Sequence, residues 1–206
     1  MTFWQNDGIL VYANVCTATG RLRKAILFMD RVLVLDFDGV LNDNVWFARK
    51  NDGSSMRICS VQDMLDPVKR SKDLNPEMVE RLNQIVEATK CEIVICSSWR
   101  IPPKGYTNHN MMEFIKKVLS LVGFRHPQAI VSSTPIFGDR SDEIMWHIKT
   151  HGYQNHDIVI LDDFDMKAEL KPYHVQTSFW HPTLGGLTSE VKQEVIKRFN
   201  ENPVTA

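Results

Sequence analysis

Two aspartates spaced two residues apart, Asp36 and Asp38, are the first candidates for chemistry in this chain. They follow the apolar run 32–35, whose β-branched members are typical of a strand buried on both faces of a parallel sheet. Buried carboxylates are unfavourable unless a partner compensates their charge. A divalent cation is the simplest such partner, and carboxylate oxygens suit Mg²⁺. Taken alone, the stretch is equally compatible with an acidic turn after a strand.

Two further apolar segments end in polar groups. Residues 157–161 lead into the pair Asp162–Asp163, and residues 92–96 lead into Ser97–Ser98. The carboxyl ends of parallel strands form one edge of a sheet, where ligands bind in open α/β folds. We therefore expect the three segments to deliver these side chains to one crevice.

These residue types fit the transfer of a phosphoryl group to a carboxylate. Asp36 is the candidate nucleophile, kept ionised by Mg²⁺, and Asp38 is the candidate group that protonates the leaving oxygen and then activates water. The Arg140 guanidinium, at the predicted start of a helix, would offset the charge of the carboxylates. The candidate phosphate-binding residues are Ser97, Ser98, Arg100 and Arg140. The candidate metal ligands are Asp36, Asp38, Asp162 and Asp163.

Predicted helices alternate with the strands, which indicates an α/β fold with a parallel sheet and right-handed crossovers. One predicted helix starts at Pro76, two more run over about 110–122 and 140–150, and the last begins after Thr188. Further strands are predicted at 129–131 and 174–177. We predict a single domain over residues 29–200 and an N-terminal extension over residues 1–28, with a candidate strand at 8–12 and a candidate short helix at 21–29.

Bulk composition narrows the function classes. The 206 residues are 43% hydrophobic with a formal net charge of -1, so a nucleic-acid or membrane partner would have to be held by a local patch. The four cysteines (Cys16, Cys59, Cys91 and Cys96) have no zinc-type spacing, and Cys91 and Cys96 are predicted core residues. No apolar run is long enough to span a bilayer and no secretory signal is evident, which predicts a cytoplasmic protein.

The ordered set of motifs resembles the haloacid dehalogenase (HAD)-like phosphohydrolase superfamily. The matching features are Asp36-x-Asp38-Gly-Val, the strand ending in Ser97, Arg140 at the head of a helix, and Asp162–Asp163 after a strand. The resemblance implies a Rossmannoid sheet flanked by helices, Mg²⁺ dependence and an aspartyl-phosphate intermediate. It also implies that the backbone carbonyl of Asp38 joins the metal shell.

A narrower likeness extends nearly to Phe199. Ser97-Ser-Trp-Arg100, Ser133-Thr-Pro135, Arg140-x-x-Glu143 and Gly186-Leu-Thr188 look like the HAD domain of Swiss Army Knife RNA repair proteins. This likeness implies removal of a terminal phosphate from an RNA or DNA end or from a nucleotide. A small-metabolite phosphatase for nucleotides or sugars, and a binding module that senses a phosphorylated ligand without turnover, are the alternatives.

Several residues keep two interpretations. Trp99 and Arg100 either contact a base and a phosphate, or pack beneath the site and pair with a carboxylate. The basic segment 69–72 either steers a polyanion or, as we favour, is a solvated loop. The insertion 42–73 is predicted to be irregular and too short for a large cap, which would leave the site open.

Three other side chains are ambiguous for chemistry. His147 and His151 have the spacing of two zinc ligands on a helix, but no third ligand is evident, so we favour a surface or core role. Asp165 fits either a supporting acid beside the site or a turn residue.

Overall fold

Two short antiparallel strands come first among the residues that the structure describes. The computed structural model describes residues 13–16, 22–25, 31–51, 53, 61–153 and 157–201. Strand β1 (Ala13–Cys16) pairs with β2 (Leu22–Ala25). The helix predicted over 21–29 is therefore wrong at 22–25, because pairing with β1 outweighs a weak local pattern. The strand candidate at 8–12 lies outside the described residues.

The main element is a five-stranded parallel sheet. Its strands are β3 (Val32–Leu35), β4 (Glu92–Ile95), β5 (Ile130–Ser133), β6 (Ile158–Asp162) and β7 (His174–Gln176). Their order is β5-β4-β3-β6-β7, and every neighbouring pair is parallel. The predicted α/β class is confirmed.

The described helices are α1 (Asn44–Lys50), α2 (Val61–Met64), α3 (Pro67–Ser71), α4 (Pro76–Thr89), α5 (Asn108–Leu121), α6 (Arg140–His151) and α7 (Ser189–Glu201). Among them, α4 to α7 begin close to the predicted positions, and α1 to α3 were not predicted. The Asn75 side chain accepts a hydrogen bond from the Glu77 N–H at 3.0 Å, and this cap with Pro76 in the first turn starts α4. The Thr188 hydroxyl caps α7 in the same way.

Helices cover the sheet on both faces. Successive side chains of a strand point to opposite faces, so Leu33 and Leu35 pack with α4, α5 and α7, whereas Val32 and Val34 pack with α6. All four side chains are buried. This burial explains the continuous apolar run of β3, which a strand with one solvated face would not need.

The insertion between β3 and α4 is more ordered than predicted. In its described parts, residues 42–51, 53 and 61–73, it forms α1, α2 and α3. The side chain of Asp43 caps α1 by accepting from the Trp46 N–H at 2.7 Å, and Asp66 caps α3 by accepting from the Val68 N–H at 2.8 Å. These described parts add three short helices to an insertion that is predicted to be too short for a large cap.

Two predictions about chain chemistry can be compared with the fold. Cys91 and Cys96 flank β4 as buried free thiols, as predicted for core residues. Within the described ranges, no helix combines the length and the apolarity that crossing a bilayer requires.

The two histidines of α6 stack on each other. Their ring centroids are 4.0 Å apart. Among the described residues, the group that could share an ion consists of three carboxylates and includes neither histidine. The His147 side chain is buried, and burial together with the charge of His151 lowers the pKa of His147 to about 4.

We expect the buried His147 to make the fold sensitive to acid. The unfolded state binds a proton on this imidazole near pH 6.5 and the folded state only near pH 4, so stability is lost as pH falls through this window. Replacing His147 with glutamine should make the decrease in the free energy of unfolding at low pH smaller by about 1–3 kcal/mol. Urea unfolding of both proteins at pH 7.5 and pH 5 measures the difference, with the exposed His109→Gln as the matched control. An unchanged pH dependence in His147→Gln would contradict the expectation.

Candidate active site

The aspartates at the ends of β3 and β6 are neighbours because of the strand register. Leu35 pairs with Leu161 in the parallel ladder, and the Asp36 N–H donates to the Leu161 carbonyl at 3.0 Å. The chain passes from β3 to β4 and β5 on one side and then returns to β6 on the other. Asp36 and Asp162 therefore lie where the strand order reverses, which is the usual ligand position in an open α/β sheet.

Arg140 joins these two carboxylates from the first turn of α6. The helix begins there because the Asp139 side chain accepts a hydrogen bond from the Ser141 N–H at 2.9 Å. Arg140 Nη1 lies 2.7 Å from Asp36 Oδ2 and 3.0 Å from both carboxylate oxygens of Asp162. The structure thus brings together three side chains that the sequence predicts to converge.

Three carboxylates form a group that fits a divalent cation. Asp36, Asp162 and Asp163 each offer one oxygen, and these oxygens lie within 4.8 Å of one another. Asp36 Oδ1 is buried and accepts no hydrogen bond of ordinary geometry from the described residues. Such a set of carboxylate oxygens suits Mg²⁺. The Asp38 carboxylate, which is also predicted as a metal ligand, is not part of this group. The backbone carbonyl of Asp38 is the ligand that the resemblance implies.

The electrostatics of this group are typical of a functional site. Burial and the negative charge of Asp162 raise the pKa of Asp36 to about 7, and the same two effects raise the pKa of Asp163 to about 6. The positive charge of Arg140 opposes both increases. A bound cation would favour the ionised carboxylates in the same sense.

Asp38 lies beside this group and is held by two donors. Trp99 Nε1 donates to Asp38 Oδ2 at 2.9 Å, and Asn42 Nδ2 donates to Asp38 Oδ1 at 2.9 Å. Asn42 is itself oriented, because its Oδ1 accepts from the Gly39 N–H at 3.0 Å. The Asp38 side chain is half-buried, so it remains open to a substrate.

Gly39 allows the turn after β3 to pass close to Asp163. Its φ is +77°, and a Cβ at this position would lie 2.4 Å from Asp163 Cγ. We expect Gly39→Ala to displace the Asp163 carboxylate, because backbone strain and overlap act together. The expected result is a free energy of unfolding lower by about 1–3 kcal/mol and weaker cation binding, measured by chemical unfolding and by Mg²⁺ titration of the melting temperature.

Gly138→Ala is the matched control for this substitution. A Cβ at Gly138 meets no atom within 4 Å, and its backbone is not in the left-handed region. Equal behaviour of the two variants would contradict a role for the close approach of Gly39 to Asp163.

The two serines after β4 differ in their exposure to solvent. Ser97 is fully buried, and its Oγ accepts from the Trp99 N–H at 3.4 Å. Ser98 is exposed. The structure therefore leaves the predicted phosphate contacts of these two serines as predictions.

Arg100 is committed to the interior. Its donors go to five acceptors, namely the Glu143 carboxylate and the backbone carbonyls of Cys96, Ser97, Thr134 and Pro135. A guanidinium has five N–H groups, so none is left for a phosphate. The predicted phosphate contact of Arg100 is thus corrected in favour of its alternative, a buried ion pair. The pair fixes the start of α6, because Glu143 also accepts from the Phe137 and Gly138 N–H groups.

Sequence reasoning missed the supporting roles of Asn42 and Arg70. Asn42 follows Asp38 by four residues, and only the turn at Gly39 brings their side chains together. Arg70 belongs to the basic segment interpreted as a solvated loop, but its side chain is buried and its Cζ lies 3.3 Å from the centroid of a Trp99 ring. Asp66 followed by Pro67 is a local signal for the start of a helix, from which α3 could have been predicted. A helix at this position implies that one of its faces is buried.

Two other charged residues lie at the surface. Asp165 pairs with Lys171 at 3.3 Å and Lys69 pairs with Asp63, and all four side chains are substantially exposed. For Asp165 this position agrees with the turn-residue interpretation. Lys69 is solvated as predicted, but it lies on the helix α3, so the predicted loop is wrong for this segment.

One of the comparisons with known proteins gives a match. No curated protein and no solved structure matches the chain. One family profile, described as the HAD domain in Swiss Army Knife RNA repair proteins, matches residues 32–190. That range holds β3 to β7 and every aspartate described above. The family supports phosphohydrolase chemistry in general terms. Since the match covers most of the sequence, the chain belongs to the family of HAD domains found in Swiss Army Knife RNA repair proteins.

Proposed function

We propose that the protein is a Mg²⁺-dependent phosphomonoesterase that removes a terminal phosphate from a nucleic-acid end or a nucleotide. The observation that carries the proposal is the group of Asp36, Asp162 and Asp163 bridged by Arg140, with Asp38 beside it. In this proposal the three carboxylates hold Mg²⁺, together with the backbone carbonyl of Asp38. The cation would supply positive charge to the phosphoryl oxygens.

The reaction would proceed through two displacements at phosphorus. A carboxylate oxygen of Asp36 attacks, the bond from phosphorus to the leaving oxygen breaks, and Asp38 gives that oxygen a proton. Water then attacks the aspartyl phosphate while Asp38 takes up a proton, which releases inorganic phosphate and restores the Asp36 carboxylate. Arg140 would offset the negative charge that accumulates during both steps.

Two exposed aromatic side chains, one of them beside the aspartates, support a nucleic-acid substrate. Phe164 follows Asp163 directly, is 63% exposed, and has its ring 5.0 Å from Arg140 Cζ. Trp180, on the loop after β7, is 66% exposed. Aromatic faces of this kind stack on unpaired bases without a sequence requirement. The family description also points to RNA repair.

Phosphate release from a substrate panel tests the proposal. The panel contains 3′- and 5′-phosphorylated oligonucleotides, mononucleotides and an aryl phosphate, each with Mg²⁺ and with a chelator. Preference for one oligonucleotide end, lost in chelator, is the expected result. Turnover of mononucleotides alone would favour the metabolite phosphatase. Absence of Mg²⁺-dependent release from every substrate would overturn the proposal and favour a binding module.

A further inference from the structure

The carboxylate of Asp38 needs external support because of where it lies. It follows β3 in a turn, it is half-buried, and both of its oxygens accept hydrogen bonds, from Trp99 and from Asn42. A carboxyl group that must deliver a proton to a particular oxygen loses efficiency when its side chain can rotate. Trp99 Nε1 and Asn42 Nδ2 hold the group from opposite oxygens, which fixes the rotation of the side chain.

Trp99 is itself fixed by its neighbours. Its side chain is buried and meets the Phe37 ring edge to face, with centroids 5.2 Å apart and planes at 84°. The guanidinium of Arg70 lies over the indole, with Cζ 3.3 Å from a ring centroid. An arginine over an indole face is a favourable cation–π contact, and it is stronger where water is excluded. The indole therefore presents its N–H to Asp38 from a restrained position.

Arg70 connects this support to the insertion between β3 and α4. The guanidinium pairs with Asp73 at 3.4 Å, and Asp73 also pairs with Lys50 at the end of α1. Arg70 and Asp73 are both buried, so solvent weakens their attraction less than at an exposed pair. Side-chain contacts thus link the helices α1 and α3 to Trp99, which donates to Asp38.

We propose that Trp99 is a positioning residue that orients Asp38 for proton transfer to the leaving oxygen, and that Arg70 holds Trp99 in place for this task. The proposal rests on the proposed phosphomonoesterase function. It assigns a task to the insertion: α3 and Arg70 steady the proton donor. Substrates whose leaving oxygen needs a proton depend strongly on this support, whereas activated aryl phosphates depend on it less.

The test compares Trp99→Phe with the wild-type chain on two phosphate monoesters in the presence of Mg²⁺. One ester has an alkyl leaving group and the other an activated aryl leaving group, and kcat/KM reports the step in which that group departs. Phenylalanine keeps the aromatic ring but removes the N–H donor. We expect a loss of about 10- to 100-fold on the alkyl ester, and a loss several-fold smaller on the aryl ester. Trp146→Phe is the matched control, because Trp146 is a half-exposed tryptophan on α6. This variant should keep the wild-type kcat/KM on both esters.

A second variant covers the case in which Trp99→Phe does not fold. Arg70→Met leaves the indole N–H in place and removes the charge over it, so the same split between the two esters is expected at a smaller size. Equal losses on the two esters in a folded variant would overturn the positioning role while the proposed function stands. If the wild-type chain turns over neither ester nor any substrate of the panel above, both proposals fail together.

Discussion

Replacing Asp36 with asparagine abolishes phosphate release, as the expected consequence of removing the nucleophile. An amide oxygen does not form the aspartyl phosphate, so the rate should fall by about 10⁴-fold or more. The fold should remain, because the amide has nearly the same shape and Arg140 keeps its contacts with Asp162. Initial rates on the best substrate of the panel, with circular dichroism of the variant, measure both points.

The same substitution should stabilise the protein when no cation is bound. The pKa of Asp36 is raised to about 7, so its ionised form is less favourable in the folded state than in the unfolded state, and this penalty is present above pH 7. In chelator at pH 8, Asp36→Asn should raise the free energy of unfolding by about 1–3 kcal/mol.

Asp165→Asn is the matched control for Asp36→Asn, because Asp165 is an exposed aspartate in a surface ion pair. It should keep wild-type rates and wild-type stability. Turnover that survives in Asp36→Asn would refute the nucleophile assignment. A melting temperature that falls in chelator would contradict the electrostatic account of the aspartate group.

Replacing Arg140 with methionine should have the second largest effect. The variant loses the only contact in the described structure that bridges Asp36 and Asp162, and with it a positive charge beside the reacting phosphoryl group. We expect kcat/KM to fall by about 10²- to 10³-fold. Because the charge of Arg140 lowers the pKa of Asp36, its removal raises that pKa further. The acidic limb of the pH profile of kcat/KM should therefore move to higher pH.

Arg140→Lys separates charge from geometry. Lysine keeps one positive charge but not the planar fork, so it should lose only about 10-fold in kcat/KM and leave the acidic limb near its wild-type position. A limb that moves to lower pH in Arg140→Met, or equal losses in the two variants, would show that the charge of Arg140 does not act on Asp36 in this way.

The strands and the aspartates that end them could be predicted from the sequence because their signals are local. The apolar run 32–35, directly followed by Asp36, indicates a buried parallel strand without reference to the rest of the chain. The caps at Asn75 and Thr188 are local in the same sense, since a cap and its helix are adjacent in sequence. The order of the motifs along the chain is likewise a property of the sequence, and it is enough to indicate the family.

The aspartates at the edge of the sheet could be predicted from the sequence, whereas the partners of the polar residues around them depend on how the helices pack. In the sequence, Arg100 lies close to Ser97 and is therefore a candidate to contact the substrate. Its carboxylate partner in the structure is Glu143, which lies 43 residues away on α6. Arg70 is equally ambiguous until α3 places it over Trp99. Periodicity is a property of neighbouring residues, whereas the choice of a polar partner depends on distances that exist only after the sheet and its helices have packed.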